Sequence, residues 1–214
     1  MFKKTATPQG VAKITVEQKM EGKVSRWLTK LSEFTGCNRI VTCFLLAVVL
    51  IGGGLVVAIM VSFATNYVAV KETSAGSQYK EISMPDINGN IQNLSEVVKA
   101  NKLTLVDFWA SWCGPCRAEM PNVKKAYDDY HDKGFEVYGV SLDDKVEWWK
   151  DNVAKLAVPG IQVSDLKGWT SDGATAYGVR SIPATILIDQ NGIIIARNLR
   201  GDDLANKVAE VLDK

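Results

Sequence analysis

Residues 103–121 decide the fold, and they read LTLVDFWASWCGPCRAEMP. The first seven, Leu103–Trp109, are apolar at nearly every position and rich in strand formers, which predicts a central strand covered on both faces. The residues that follow Cys116 predict a helix. Cys113 and Cys116 therefore lie at a strand-to-helix junction, and the Gly-Pro between them suits the first turn of that helix.

The pair Cys113 and Cys116 is the chemically reactive feature of the sequence. Two cysteines at this spacing can close a small disulfide ring, and the positive end of the helix dipole stabilises the thiolate of the first. The chain holds four cysteines and one histidine, His131, and one CxxC alone cannot complete a four-ligand zinc site. The other two cysteines, Cys37 and Cys43, flank the start of an apolar segment. The pattern predicts a reactive dithiol and no metal site, while a purely structural disulfide stays open.

The charges divide the chain of 214 residues into three parts. Residues 1–39 carry eight Lys and Arg against three Glu, residues 40–70 carry no charge, and residues 71–214 are mildly acidic. A mildly acidic domain gives no electrostatic reason to expect nucleic-acid binding. The basic segment is better explained by its position beside an apolar stretch, so no nucleic-acid partner is expected.

The uncharged segment 40–65, IVTCFLLAVVLIGGGLVVAIMVSFAT, is long enough for a membrane-spanning helix of about 20 residues. Basic residues dominate on its N-terminal side, which predicts that residues 1–39 stay in the cytoplasm. The chain is therefore predicted to be anchored once in the bacterial inner membrane, with the rest in the periplasm or a similar extracytoplasmic space. A cleaved signal peptide is the alternative, with Tyr67-Val-Ala69 as its candidate cleavage site, but its leader and apolar core would be unusually long.

The residues after the anchor divide into a linker and a domain. Small and polar residues predict a linker at 66–79. The remaining residues, 80–214, have the length of a single domain that can bury its own core. Strands that alternate with helices predict an α/β fold with a mixed central sheet. The predicted elements are a hairpin around Asn88-Gly89, helices at 94–100, 113–133, 145–156, 171–177 and 202–212, and strands at 103–109, 135–141, 160–163, 185–188 and 193–197.

Two segments resemble the thioredoxin family. Residues 103–121 are similar to its active-site segment, including Asp107, the Trp-Cys-Gly-Pro-Cys core and Pro121 in the helix. Residues 177–188, YGVRSIPATILI, are similar to the segment that contains its cis-proline. The anchor, the hairpin and an extra strand-helix piece at about 143–176 resemble the TlpA/ResA-like branch. The resemblance implies a thioredoxin fold with an N-terminal β-hairpin and an internal strand-helix insertion, preceded by one transmembrane helix.

The resemblance implies a role for each member of the pair. Cys113 attacks a substrate disulfide as a thiolate. Cys116, one turn into the helix and more buried, resolves the mixed disulfide by attacking the Cys113 sulfur. Asp107 lies in an apolar strand, where a carboxylate tends to keep its proton, and is implied to accept the proton of Cys116. One departure from thioredoxin is that strand 135–141 contains no lysine to partner this aspartate.

The resemblance also implies a surface that binds the substrate. Pro183, after Ile182, is implied to be the cis-proline that faces the two cysteines. The backbone beside it would pair with an extended substrate segment by strand addition. Trp112, Gly114 and Pro115 are expected to contact the substrate around the reactive thiol.

Together these features predict an extracytoplasmic thiol-disulfide oxidoreductase that reduces protein disulfides through a Cys113/Cys116 cycle. No cofactor is expected beyond that pair, and the expected partners are disulfide-containing proteins, a membrane thiol reductant and the bilayer around residues 40–65. Three alternatives stay open: a thioredoxin-fold peroxidase, a disulfide-forming oxidant and a non-enzymatic tethered binding domain. The peroxidase is disfavoured because Phe108–Trp112 lacks the threonine and proline that such peroxidases place before the reactive cysteine.

Overall fold

The computed structural model describes Arg26 and residues 39–213, with side chains described for Arg26 and from Ile51 onward. The predicted cytoplasmic segment 1–39 therefore lies almost wholly outside the described residues, and its role stays a prediction. The helices are α1 (Arg39–Glu72), α2 (Leu94–Ala100), α3 (Gly114–Tyr130), α4 (Val146–Leu156), α5 (Asp172–Ala176) and α6 (Gly201–Leu212). The strands are β1 (Ser83–Pro85), β2 (Ile91–Asn93), β3 (Leu103–Trp109), β4 (Phe135–Ser141), β5 (Ile161–Val163), β6 (Ala184–Asp189) and β7 (Ile194–Arg197).

Helix α1 contains much of the predicted anchor. The chain divides into two compact units whose boundary, between Val61 and Ser62, falls within this helix. The part Ile51–Glu72, with a mean hydropathy of 1.8, is long and apolar enough to cross a membrane, by length and composition. The candidate cleavage site Tyr67-Val-Ala69 lies inside the same helix. The prediction of an anchor at 40–65 thus coincides with an apolar helix, whose membrane insertion stays a prediction.

The predicted linker at 66–79 begins as helix, because α1 continues to Glu72. The next residue, Thr73, is buried, and its carbonyl accepts a hydrogen bond of 2.8 Å from Arg197. The guanidinium of Arg197 also donates to the Tyr177 carbonyl over 2.8 Å. Thr73, within the predicted linker, is therefore hydrogen-bonded to the domain.

Five strands form a mixed sheet in the order β5-β4-β3-β6-β7. Strands β3, β4 and β5 pair in parallel, whereas β6 is antiparallel to β3 and β7 to β6. All seven residues of the central strand β3 are buried, as a strand covered on both faces requires. Helices α3 and α6 pack against each other, and both contribute side chains to the main core. The predicted thioredoxin fold is confirmed.

The two additions to this fold are also found. Strands β1 and β2 form an antiparallel pair, and Gly89 in their turn has φ 88°, a left-handed conformation that glycine adopts readily. The stretch 143–176 contains α4, β5 and α5. Helix ends differ from the prediction by a few residues: α3 begins after Cys113, its N-cap, and ends at Tyr130, where a 3₁₀ turn follows.

Trp109, at the end of β3, belongs to the core rather than to the surface. It is fully buried, and its Nε1–H donates to Gln162 Oε1 over 3.0 Å. Gln162 in turn donates to the Pro159 carbonyl over 2.7 Å. The amide lies against Gly139, where an added Cβ would come within 2.2 Å of Gln162 Oε1, so a side chain at this position would displace the Gln162 amide. This buried polar link fixes the end of β3, from which the loop to the cysteines departs.

Candidate active site

The two cysteines lie at the N-terminus of α3. Cys113 and Cys116 are joined by a disulfide, with their Cα atoms 5.3 Å apart. Cys113 is the N-cap of the helix, and its Sγ accepts a hydrogen bond from the Cys116 N–H over 3.2 Å. Once the disulfide is reduced, this N–H and the positive end of the helix dipole stabilise a thiolate at Cys113.

Access to the two sulfurs is unequal. Cys113 keeps 5% of its surface exposed, whereas Cys116 keeps 1%. Around Cys113 the residues Trp112, Gly114 and Pro115 are all exposed. An incoming disulfide therefore reaches Cys113 first, across a surface made of the residues that are expected to contact substrate.

The loop that precedes β6 faces the disulfide. The Ile182–Pro183 peptide bond is cis, and Cys113 Sγ lies 3.8 Å from the Ile182 carbonyl oxygen. Pro183 is buried and Ile182 is half-buried. The structure thus brings together two sequence motifs that are 69 residues apart.

Arg200, which the sequence reasoning missed, braces this loop. Its Nη2 donates to the Pro183 carbonyl over 2.6 Å. Nearby, the Thr185 hydroxyl donates to the Leu199 carbonyl over 2.9 Å. The turn before α6 is therefore tied to the segment that carries the cis-proline. No local sequence signal marks Arg200, since an arginine before a helix is usually a solvated charge.

Asp107 is a buried carboxyl in the middle of β3. It is 4% exposed, and among residues 39–213 no hydrogen bond reaches its carboxyl group. Burial raises the pKa of the Asp107 carboxyl to about 7, with a further increase from the negative charge of Glu119 and an opposing effect of the positive Arg200. The group can therefore gain and lose a proton near neutral pH.

The charges around Asp107 come from elements that are distant in sequence. As the sequence indicates, β4 supplies no lysine, and its residue in register with Asp107 is Gly139. Glu119 in α3 is half-buried. Its Oε1 accepts a hydrogen bond from the Gly201 N–H over 2.6 Å, and its Oε2 accepts one from Asn122 over 3.0 Å. Glu119 thus ties α3 to the N-terminus of α6.

A second buried carboxylate, Asp143, holds the loop before the cysteines and was also missed. It is fully buried and accepts hydrogen bonds from the Ser111 N–H over 3.0 Å and from the Ser111 hydroxyl over 2.5 Å. The Ser141 hydroxyl donates to it over 2.7 Å. Because Ser111 lies two residues before Cys113, this cluster fixes the loop from which the sulfur projects. One signal was available: Asp143 follows β4, and the carboxyl ends of neighbouring parallel strands meet at one edge of the sheet.

The chemistry of the site follows from its groups. It offers an exchangeable disulfide, a backbone edge beside that disulfide, and a carboxyl that titrates near neutral pH. In the part of the chain that the structure describes, no three His, Cys, Asp or Glu side chains are grouped so that they could hold a metal ion. Such a site suits thiol-disulfide exchange with a polypeptide.

The chain is similar to known proteins. Residues 75–197 match the AhpC/TSA family. The chain is 30% identical over 148 residues to the thiol-disulfide oxidoreductase ResA of Halalkalibacterium halodurans, which covers 65% of this chain and 77% of that protein. It is 27% identical over 129 residues to the thiol:disulfide interchange protein HelX of Rhodobacter capsulatus, which covers 60% of this chain and 70% of that protein.

A solved structure agrees with these relatives. The crystal structure of the thioredoxin domain of a thiol-disulfide oxidoreductase from Bacteroides vulgatus matches with a TM-score of 0.61 at 37% identity, covering 65% of this chain and 98% of that chain. The family match spans more than half of the chain, and these two relatives and the solved structure are all named for thiol-disulfide oxidoreduction or interchange. The chain therefore belongs to the AhpC/TSA family and is, within it, a thioredoxin-fold thiol-disulfide oxidoreductase of the TlpA/ResA-like branch.

Proposed function

We propose that this oxidoreductase is anchored in the bacterial inner membrane and reduces the disulfides of protein substrates outside the cytoplasm. One observation carries the proposal: the Cys113–Cys116 disulfide caps a helix N-terminus, and Cys113 Sγ lies 3.8 Å from the Ile182 carbonyl beside Pro183. This geometry supplies a reactive sulfur, a resolving sulfur and a backbone edge for a polypeptide.

The reaction is two successive exchanges at sulfur. The Cys113 thiolate attacks one sulfur of the substrate disulfide, a new S–S bond forms, and the other substrate sulfur leaves as a thiolate with the electron pair. Cys116, once deprotonated, attacks Cys113 Sγ, which forms the Cys113–Cys116 disulfide and releases the second substrate thiolate. Two electrons pass from the dithiol to the substrate, and the two leaving thiolates take up protons.

Asp107 is proposed to accept the proton of Cys116 and pass it on. A carboxyl whose pKa is about 7 is partly ionised at neutral pH, so it can take a proton in one step and give it up in the next. Glu119 and Arg200 move this pKa in opposite directions, and we propose that they act through Asp107 as positioning residues.

The substrate is proposed to lie across the surface of Trp112, Gly114 and Pro115. An extended segment would pair with the backbone at Ile182, in the manner of strand addition. Arg200 supports this arrangement because its hydrogen bond to the Pro183 carbonyl holds the loop in place.

The oxidised protein must then be reduced again. We assign this step to a dithiol reductant in the membrane, which would return two electrons by the same exchange in reverse. No cofactor beyond the Cys113–Cys116 pair is needed, since the electrons come from sulfur and return to sulfur. The apolar helix Ile51–Glu72 and the excess of basic residues in 1–39 support an inner-membrane anchor with the domain outside.

Reductase activity of the full chain, purified in detergent, tests the chemistry. We expect it to catalyse the reduction of insulin by dithiothreitol and Cys113→Ala to abolish that catalysis. Cys116→Ser should accumulate a mixed disulfide with the substrate, because the resolving sulfur is missing. The double variant Cys37→Ser/Cys43→Ser is the matched control and should retain activity. Catalysis by Cys113→Ala would contradict the mechanism.

The direction and the location need separate measurements. Equilibration with dithiothreitol should give a reduction potential near that of thioredoxin, about −270 mV, whereas a value near about −120 mV would identify a disulfide-forming oxidant. Rapid turnover of hydrogen peroxide would favour a peroxidase instead. Added protease should digest the domain in spheroplasts, and protection of the domain would contradict the extracytoplasmic location.

A further inference from the structure

We propose that a pocket beside Cys113 binds a large aromatic side chain of the substrate polypeptide, adjacent to its reactive cysteine. The proposal rests on the proposed function, since it names the class of polypeptide that the same site selects. The tryptophan pocket, as we call it, is a cavity of about 450 Å³. Its lining includes Trp112, Leu142, Asp144, Trp148, Lys167 and Trp169.

Three of the seven residues that line this pocket are tryptophans. Trp112 is 47% exposed, and Trp148 and Trp169 are each 50% exposed. The ring centroids of Trp112 and Trp169 lie 5.9 Å apart, so these two rings form adjoining walls. A cluster of large aromatic side chains that remains exposed on a folded domain is typical of a binding surface rather than of core packing.

The charges at the pocket favour an apolar occupant. Lys167 Nζ is paired with Asp172 over 2.6 Å. Lys145 Nζ lies 4.1 Å from the centroid of the Trp148 ring, where the ring face stabilises its charge. Asp144 is exposed to solvent, which satisfies its charge. The pocket therefore presents aromatic faces and no buried charge that calls for a counter-ion in the ligand.

The position of the pocket identifies its occupant as part of the substrate. Trp112 precedes Cys113 in the chain, so the pocket continues the surface that any mixed disulfide at Cys113 must cover. Its volume is in the range of about 300–1,000 Å³ that is usual for ligand sites and admits one large side chain. Neighbouring residues of an extended chain are about 3.5 Å apart, so a residue flanking the substrate cysteine can reach it.

The pocket also gives the inserted segment a purpose. Trp148 lies in α4, and Lys167 and Trp169 lie between β5 and α5, so five of the seven residues that line the pocket belong to residues 143–176. The thioredoxin part of the chain thus supplies the sulfur chemistry, whereas the insertion supplies the selection of substrate.

Two disulfide-linked peptides test the proposal. They differ only in the residues on both sides of the cysteine, which are phenylalanine in one peptide and alanine in the other. We expect the reduced full chain in detergent to favour the phenylalanine peptide in kcat/KM by about tenfold. In the double variant Trp148→Ala/Trp169→Ala, the ratio of kcat/KM for the phenylalanine peptide to that for the alanine peptide should fall to about one. Ile91→Ala, which removes an exposed apolar side chain outside the pocket, is the matched control and should keep the preference.

The outcomes separate this proposal from the proposed function. Equal rates for the two peptides in the unmodified chain would overturn the pocket and leave the reductase intact, whereas failure to reduce either peptide would contradict the reductase itself. A tryptophan double variant that loses both peptides equally would show a structural role and overturn the proposal. Trp169→Phe, which keeps an aromatic wall, should retain the preference.

Discussion

Asp107 and Asp143 are both buried carboxyl groups close to the cysteine loop, yet their surroundings differ. Asp107 lies within β3, and among residues 39–213 no hydrogen bond reaches its carboxyl group. Asp143 follows β4 and accepts hydrogen bonds from the backbone and hydroxyl of Ser111 and from the hydroxyl of Ser141. Donors therefore surround one carboxyl and are missing around the other.

The comparison shows how burial can serve either chemistry or structure. A buried carboxylate without donors keeps its proton to higher pH, because the charged form is poorly solvated. Asp107 is such a group, with a pKa of about 7. A buried carboxylate with several donors instead becomes a fixed acceptor that organises a loop. In this site we propose that Asp107 serves proton transfer, whereas Asp143 holds the loop before Cys113 through its hydrogen bonds.

Asp107→Asn should have the largest effect. It removes the ionisable carboxyl that we assign to proton transfer and leaves Asp143 in place. The folded pKa of about 7 exceeds the ordinary 3.8, so the folded state binds more protons between these values. The contribution of the protonated Asp107 carboxyl to the free energy of unfolding is fully present below about pH 4. It is lost as the pH rises through 7, by up to about 4 kcal/mol. The variant avoids that loss. Urea titrations of the oxidised full chain should therefore show a gain of up to about 4 kcal/mol at about pH 9.

The same variant should show little gain at about pH 4, where the wild-type carboxyl is protonated in both states. Its second exchange step should slow, since Cys116 loses its proton acceptor. An equal gain in the free energy of unfolding at both pH values would mean that packing, not ionisation, sets the effect.

Asp143→Ala removes the carboxyl that holds the loop before Cys113 and leaves Asp107 in place. It leaves the buried Ser111 N–H and two hydroxyls without their acceptor, which we expect to cost about 3 kcal/mol in the free energy of unfolding. Urea titration at neutral pH measures this loss. Asp144→Ala removes the exposed neighbour and serves as the control, with little expected change. A loss at Asp143→Ala no larger than the control would show that the loop does not depend on this cluster.

Arg200→Gln and Glu119→Gln test whether neighbouring charges, in addition to burial, set the pKa of Asp107. Arg200 lowers the pKa of Asp107 and Glu119 raises it. Removing the Arg200 charge should therefore raise this pKa, and removing the Glu119 charge should lower it. Arg200→Gln should shift the fall of stability with pH to higher pH, and Glu119→Gln should shift it to lower pH. The midpoint of this fall, from urea titrations across the pH range, is the measurement. Shifts in the same direction would show that lost hydrogen bonds, rather than charge, dominate.

Asp129→Asn should have the smallest effect. Asp129 pairs with Lys125 one helical turn away on the surface of α3, where solvent screens the charges. We expect no measurable change in the free energy of unfolding or in reductase activity. A clear loss of stability or activity would mean that this exposed ion pair contributes more than solvent screening allows, and that burial is not what distinguishes Asp107 and Asp143.

The sequence predicted the parts of the site that lie in local motifs. Cys113, Cys116 and Asp107 fall within one strand-loop-helix segment, and Pro183 lies in a second recognisable segment. Arg200 and Glu119 were missed because their contacts join the turn before α6 to the cis-proline loop and to α3, and no spacing encodes such contacts.

The boundary between anchor and domain was also beyond the sequence. Small polar residues after position 70 suggested a linker, but Thr73 is buried through hydrogen bonds with Arg197 and Tyr177. Thr73 and Tyr177 are 104 residues apart in the sequence, so only the folded structure reveals this contact. The sheet, by contrast, was predictable because β3 and β4 are apolar runs of a length typical of buried strands.

The hold of Arg200 on the Pro183 carbonyl has a consequence for how long a substrate stays bound. Pro183 has no N–H and its carbonyl already accepts a hydrogen bond from Arg200, so within the Ile182–Pro183 pair it is mainly Ile182 that offers backbone groups to a polypeptide. A pairing one residue long provides few hydrogen bonds, each of which contributes only about 1 kcal/mol net. Once the S–S bond to Cys113 breaks, little retains the product. If the proposed function holds, we therefore expect product release to be rapid.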